Sequence, residues 1–206
     1  MAQAAERVFV ADEAPPGDRV ERHKGVDRLF HWLTAAAVLT LMFTGLLPAL
    51  GLYKFDWVVI HWSVGIFLVL LVVFHIVRSV IWQRLKCIFA LSADEVTGKK
   101  VTKYTVAQKL MHLAMTLMIL GAVITGCFML MKMDTPLWKR DPYTLSQATW
   151  GVIYLIHGAA AVCAITLVAL HVYFAILPEK RMYLRAMIRG WMTREEAREH
   201  FGSDKK

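Results

Sequence analysis

Four apolar runs, each long enough to cross a bilayer, leave this 206-residue chain few ways to fold. They extend from about His31 to Leu50, Trp57 to Trp82, Gln108 to Met131 and Gly151 to Leu177. A helix needs about 20 apolar residues to span ~30 Å of hydrocarbon. Within lipid, a helix also satisfies its backbone polar groups from inside one segment. The expected fold is therefore all-α: an integral membrane four-helix transmembrane bundle. With 57% hydrophobic residues the chain is too apolar for an ordinary soluble domain. Residues 1–30 contain no apolar stretch of signal-peptide type, so no cleavable leader is expected.

The formal charge of +8 raises the question of nucleic acid, and its distribution answers it. Segments 1–30, 83–109 and 178–206 hold 5, 6 and 8 Lys and Arg, whereas segments 50–56 and 132–150 hold 1 and 3. Positive charge collects on the cytoplasmic side of membrane proteins, which puts both termini inside and the two poorer loops outside. The basic excess thus reports topology and a cytoplasmic docking surface, and no nucleic-acid partner is expected.

Three regions follow: a cytoplasmic N-terminal tail (1–25), a four-span domain (26–178) and a cytoplasmic C-terminal tail (179–206). Pro15, Pro16 and Gly17 break the first tail, which reads as flexible or partner-bound. Residues 21–30 read as an interfacial approach to the first span. The short 50–56 loop makes spans one and two antiparallel neighbours. The polar 83–107 loop has room for a short surface helix. The outer loop 132–150, with Pro136, Trp138, Pro142 and Tyr143, suits an irregular interfacial cap that a partner could touch. In the last tail Met182, Leu184, Met187, Ile188 and Trp191 alternate with arginines, which predicts an amphipathic C-terminal helix on the membrane surface. Thr193 and Glu196 have the spacing of a capping box. Cys87, Cys127 and Cys163 form no CxxC or CxxCH pattern, which argues against c-type haem and a cysteine-held iron–sulfur cluster. Cys127 and Cys163 read as small packing residues.

Chemistry enters with the eight histidines. Ionisable groups inside a bilayer are costly, and a set matched in depth points to ligands more than to isolated interhelical hydrogen bonds. His157 and His171 stand fourteen residues apart in the fourth run. At about 100° per residue both imidazoles return to nearly one face, ~21 Å apart along the axis. One helix then offers a ligand near each membrane surface, as two stacked b-type haems require. Topology gives the partners: His61 shares the outer depth with His157, and His31 shares the inner depth with His171. Bis-histidine ligation leaves no open iron site and suits electron transfer. His75, fourteen residues after His61, repeats the spacing of the fourth run and is an alternative inner ligand facing His171. Otherwise it is a polar residue beside a haem edge or quinone. His112 reads as a packed histidine or part of a quinone or proton path, and His23 and His200 as solvated tail residues.

Gly65 and the run Gly158, Ala159, Ala160, Ala161 would let a flat macrocycle or another helix come close. Arg78, near the inner end of the second run, could pair with a haem propionate or snorkel to the interface.

The segments DRLFHW (27–32), IHWSVGI (60–66), KYTVAQK (103–109), IHGAAAV with LHVYFAI (156–176) and the RGWMTREEAREH tail resemble the cytochrome b (gamma) subunit of membrane-bound formate dehydrogenases. That subunit lies within a wider di-haem cytochrome b group shared with nickel–iron hydrogenases and some sulfur-compound reductases. The resemblance covers roughly residues 20–200. It implies His31 and His171 as ligands of the inner haem iron and His61 and His157 as ligands of the outer one, which prefers His31 to His75. It also implies a quinone, menaquinone or ubiquinone, beside the inner haem at Thr105, Ala107, Gln108 and His171. Thr105 and Ala107 stand where the family pattern has Asn and Gly. The implied partners are an iron–sulfur subunit, a molybdenum- or tungsten-pterin catalytic subunit, membrane lipid and the quinone pool. The implied location is the bacterial cytoplasmic (inner) membrane.

No residue of this chain resembles a formate-oxidising centre, so any enzymatic role is quinone reduction within an oxidoreductase complex. The competing readings are the cytochrome b of a hydrogenase or sulfur-compound reductase, a free-standing quinol-linked cytochrome, and a metal or proton transporter. The matched depths favour haem over the last.

Overall fold

The computed structural model describes residues 15–52, 56–81, 104–136 and 138–201. Its elements, in order, are β1 (Arg19–Glu21), α1 (Gly25–Ala49), α2 (Trp57–Ile81), α3 (Val106–Leu130), α4 (Gln147–Ile176), α5 (Arg181–Arg189), β2 (Trp191–Thr193) and α6 (Arg194–Phe201). Helices α1 to α4 are each long and apolar enough to cross a membrane, so the chain is a multi-pass membrane protein. Large apolar side chains such as Leu70, Val80, Leu155 and Val162 stand exposed along these helices, where they meet lipid. Leu68, Leu71, Ile153, Ala160 and Ala164 are buried between helices. The N-terminal tail to residue 14, Cys87 and nearly all of the loop expected to hold a surface helix lie outside the described residues. Cys127 and Cys163 are free and exposed, so they face outward rather than packing as expected.

Helix α2 starts with its apolar run at Trp57, whereas α3 and α4 begin earlier than theirs, because capping residues recruit polar turns into the helices. The Ser146 hydroxyl accepts the Thr149 backbone N–H at 3.2 Å, and α4 starts at Gln147, four residues ahead of the apolar run. Thr105 and Gln108 form a reciprocal capping box: Gln108 N–H donates to Thr105 Oγ1 at 3.3 Å and Thr105 N–H to Gln108 Oε1 at 3.0 Å. At the far end of α1, Leu52 N–H reaches Leu47 O at 3.1 Å and Gly51 N–H reaches Pro48 O at 3.0 Å, a Schellman stop.

The chain divides into two compact units, residues 1–32, 88–110 and 168–206, and residues 33–87 and 111–167. In the first, the two tails pair. β1 and β2 form a two-stranded antiparallel sheet with Val20 opposite Met192. The tail read as flexible is therefore structured from Pro15 onward. Arg28 Nη1 donates to Ile188 O at 2.5 Å and Trp32 Nε1 to Met187 O at 3.3 Å, which ties α1 to the end of α5. The expected amphipathic helix is present as α5, with Met182, Arg185 and Ala186 buried on one face. Arg185 is only 8% exposed and is bound by the Glu196 carboxylate. Glu196 also accepts the Thr193 N–H at 2.9 Å, completing the anticipated capping box. His23 and His200 are half-buried instead of solvated, and the His200 ring sits edge-on to Tyr183 at 6.2 Å.

Gly190 is the hinge of this arrangement. Its φ of +94° suits glycine, its carbonyl accepts the backbone N–H groups of Arg22 and His23, and an added β-carbon would lie 3.1 Å from His23 O. Gly190→Ala is expected to weaken tail pairing by about 1–2 kcal/mol. Hydrogen exchange at Val20 and Met192 should accelerate roughly tenfold, with the four spans unchanged.

Candidate functional site

Each histidine proposed as a ligand faces another imidazole. In one unit, His61 of α2 and His157 of α4 have ring centroids 6.4 Å apart at 70°. In the other, His31 of α1 and His171 of α4 are 6.2 Å apart at 56°. An imidazole nitrogen holds a transition metal at ~2.0–2.1 Å, so two rings sharing one metal have centroids roughly 6 Å apart. His75 does not stand alone: its ring faces His112 of α3 at 6.4 Å and 48°. Three pairs thus share a spacing that metal ligation would require. Spacing by itself does not mark the site, and the surroundings of the rings must be compared.

The His61–His157 pair is anchored in a way that bears on which nitrogen is available. Thr44 Oγ1 donates its proton to Thr40 O, one turn back on α1, at 2.7 Å. With that proton committed the oxygen is left to accept, so the 2.9 Å contact with His61 Nδ1 fits a ring protonated at Nδ1. Thr125 repeats this on α3. It donates to Gly121 O at 2.6 Å and accepts from His157 Nδ1–H at 3.0 Å, and the same Nδ1–H lies 3.0 Å from Ala122 O. With the ring proton held on Nδ1, the lone pair resides on Nε2. This is the second-shell arrangement that orients histidine metal ligands.

A glycine follows each threonine. A β-carbon at Gly45 would sit 3.5 Å from His61 Cε1, and one at Gly126 3.4 Å from His157 Cε1. Two Thr-Gly pairs, on α1 and α3, therefore cradle the two imidazoles of one site. Sequence reasoning missed them. It singled out Gly65 and Gly158, where an added β-carbon would meet no protein heavy atom within 4 Å, which leaves the room expected for a flat macrocycle open. Ala160 contributes to helix packing, 3.7 Å from the position of a Gly121 β-carbon. The signal was present as the repeated dipeptide at 44–45 and 125–126.

The residues expected around a quinone sit at the start of α3. Thr105 and Gln108 are joined in the capping box, so each has a structural task there, and Ala107 is exposed beside them. Neighbouring Tyr104 is shifted above the ordinary phenol range by burial, partly offset by the Arg22 guanidinium, and is a neutral hydrogen-bond donor at pH 7. Arg78 stands in the last turn of α2, three residues beyond His75.

Four membrane-crossing helices that carry facing imidazoles, one pair held at Nδ1, suit a membrane protein that holds a metal-centred group. Residues 22–190 match the family model of prokaryotic cytochrome b561, and the chain belongs to that family. It is a b-type membrane cytochrome and binds haem b. The formate dehydrogenase cytochrome b556 subunit of Haemophilus influenzae is 24% identical over 204 residues, an alignment covering 88% of this chain and 80% of that protein.

The anchored histidines fit haem on the chain's own terms, since the Nδ1 contacts aim Nε2 and the glycines leave room beside the ring. Thr125→Val removes one of the two acceptors at His157 Nδ1–H and should weaken haem retention about tenfold, read by pyridine haemochrome titration after dialysis. Gly126→Leu, which fills the cradle, should lower haem loading further while leaving the helix content unchanged by circular dichroism.

Proposed function

We propose that this chain is the membrane-anchor di-haem cytochrome b subunit of a formate dehydrogenase complex. In this reading it takes electrons from an iron–sulfur subunit, itself supplied by a molybdenum- or tungsten-pterin catalytic subunit, and delivers them to quinone. The observation that carries it is the imidazole pairing: His61 with His157 and His31 with His171, two sites sharing one unbroken helix. The relation to the Haemophilus influenzae subunit supports the choice of complex.

Each chain residue has a stated task. His61 and His157 hold the outer haem iron through Nε2, with Thr44 and Thr125 fixing their rings. His31 and His171 hold the inner haem iron. Two nitrogen ligands per iron leave no position for oxygen or substrate, so bound haem supplies reversible one-electron chemistry. Arg78 is assigned to a haem propionate. Thr105, Ala107, Gln108 and His171 are assigned to the quinone, menaquinone or ubiquinone, in addition to the helix-capping task of Thr105 and Gln108. The domain 26–178 holds the cofactors, and the tails 1–25 and 179–206 lie at the cytoplasmic face of the bacterial inner membrane. The charge asymmetry of the loops supports that orientation.

The test is haem stoichiometry with two variants. His31→Ala should halve the b-haem content, whereas His75→Ala should leave two haems per chain; the reverse result rejects the inner ligand assignment. Co-purification should recover iron–sulfur and pterin subunits, and a nickel-containing partner instead would move the chain to a hydrogenase. Gln108→Ala should slow quinone-dependent reoxidation about tenfold or more with both haems retained. Unchanged turnover would remove Gln108 from the site.

A further inference from the structure

The paired tails enclose an open cleft of about 310 Å³ lined by Arg19, Glu21, His23, Gly25, Arg28, Arg189, Gly190 and Trp191. Three guanidiniums face one carboxylate, so the cleft is cationic. It is shaped by the fold: β1 supplies Arg19, the end of α5 supplies Arg189, and the left-handed turn at Gly190 holds the two together. The Arg19 guanidinium lies over the Trp191 ring, 4.2 Å from its centroid, which limits its freedom. Gly25 opens the 25-residue helix α1, so the positive end of the helix dipole adds to the field.

Charge alone would accept any anion. What identifies the ligand is the apolar surface beside the charge. Val26 and Leu29, in the first turns of α1, are 53% and 61% exposed, and Ile188, next to Arg189, is 54% exposed. Trp191, an indole of the kind that settles at headgroup level, is at the junction. A cationic cleft bordered by exposed aliphatic side chains at the end of a membrane span matches an amphiphile, with an anionic head in the cleft and acyl chains along α1 and α5.

We propose that this cleft binds the headgroup of an anionic phospholipid. The lipid would bridge both tails to α1, so binding should hold the β1–β2 sheet against the membrane surface. The site involves none of the six histidines carried by the membrane-spanning helices and stands independently of the assigned electron-transfer role.

The experiment uses the haem-loaded full chain in uncharged detergent, with lipid retention followed by native mass spectrometry. The wild type should retain phosphatidylglycerol, and the double variant R19Q/R189Q should bind it about thirtyfold more weakly, with the haem spectrum unchanged. Phosphatidylcholine should bind weakly and equally to both. Inorganic phosphate or glycerol phosphate at the same concentration should fail to displace the lipid. Equal phosphatidylglycerol affinity in the two proteins overturns the proposal, and full displacement by inorganic phosphate assigns the cleft to a free anion instead. Should the double variant lose its haem spectrum, the wild type alone decides. Phosphatidylglycerol with a photoreactive acyl chain should crosslink to Val26, Leu29 or Ile188, and crosslinks confined to other segments overturn the site.

Discussion

The arrangement depends on the cost of leaving an imidazole unsatisfied in hydrocarbon. A histidine within a span must find partners for both ring nitrogens or weaken the helix packing around it. His61 and His157 solve half of that problem with a threonine each. The threonine can accept because its own proton is already committed one turn back, to Thr40 O or Gly121 O. The chain of donors runs from imidazole to hydroxyl to backbone carbonyl and ends there. The other nitrogen is left as a lone-pair donor, the form in which imidazole can ligate a metal. The orientation of both rings follows from one hydrogen-bond rule.

Glycine acts at the same places for a different reason. The helices carrying Thr44 and Thr125 must approach the rings closely for a 2.9–3.0 Å bond, and Gly45 and Gly126 remove the side chains that would stand in the way. Each Thr-Gly pair is a contact device with two parts, one polar and one steric. The His75–His112 pair shows that facing rings alone are insufficient evidence. It shares that spacing, whereas His61 and His157 each also have a threonine at Nδ1 and a glycine beside the ring.

The tails follow a different logic, because outside the spans water competes for every polar group. There the structure relies on a burial set made of Met182, Ala186 and Met192, with Arg185 neutralised by Glu196. Removing either member of such a pair leaves an uncompensated buried charge. Pairing β1 with β2 brings the first and last described segments together at the end of α1 and creates the cationic cleft. The cytochrome's membrane-surface features thus arise from contacts between opposite ends of the chain, separate from the apolar periodicity that builds the spans.

The sequence by itself determined the four spans, the matched depth of His31, His61, His157 and His171, the amphipathic segment after Pro178 and the Thr193–Glu196 cap. All of these depend on local periodicity or on spacing within one helix, where rise and rotation per residue are known in advance. It also left His31 and His75 as rivals on geometry alone, because both repeat at suitable depth. Tertiary structure decided which rings face each other, placing His31 against His171 and His75 against His112. It also revealed Thr44, Thr125, Gly45 and Gly126 as the surroundings of the His61–His157 pair and joined Arg19–Glu21 to Trp191–Thr193. Those contacts connect different elements, and rotation of a helix about its own axis, which no spacing within that helix encodes, sets which neighbour each side chain meets.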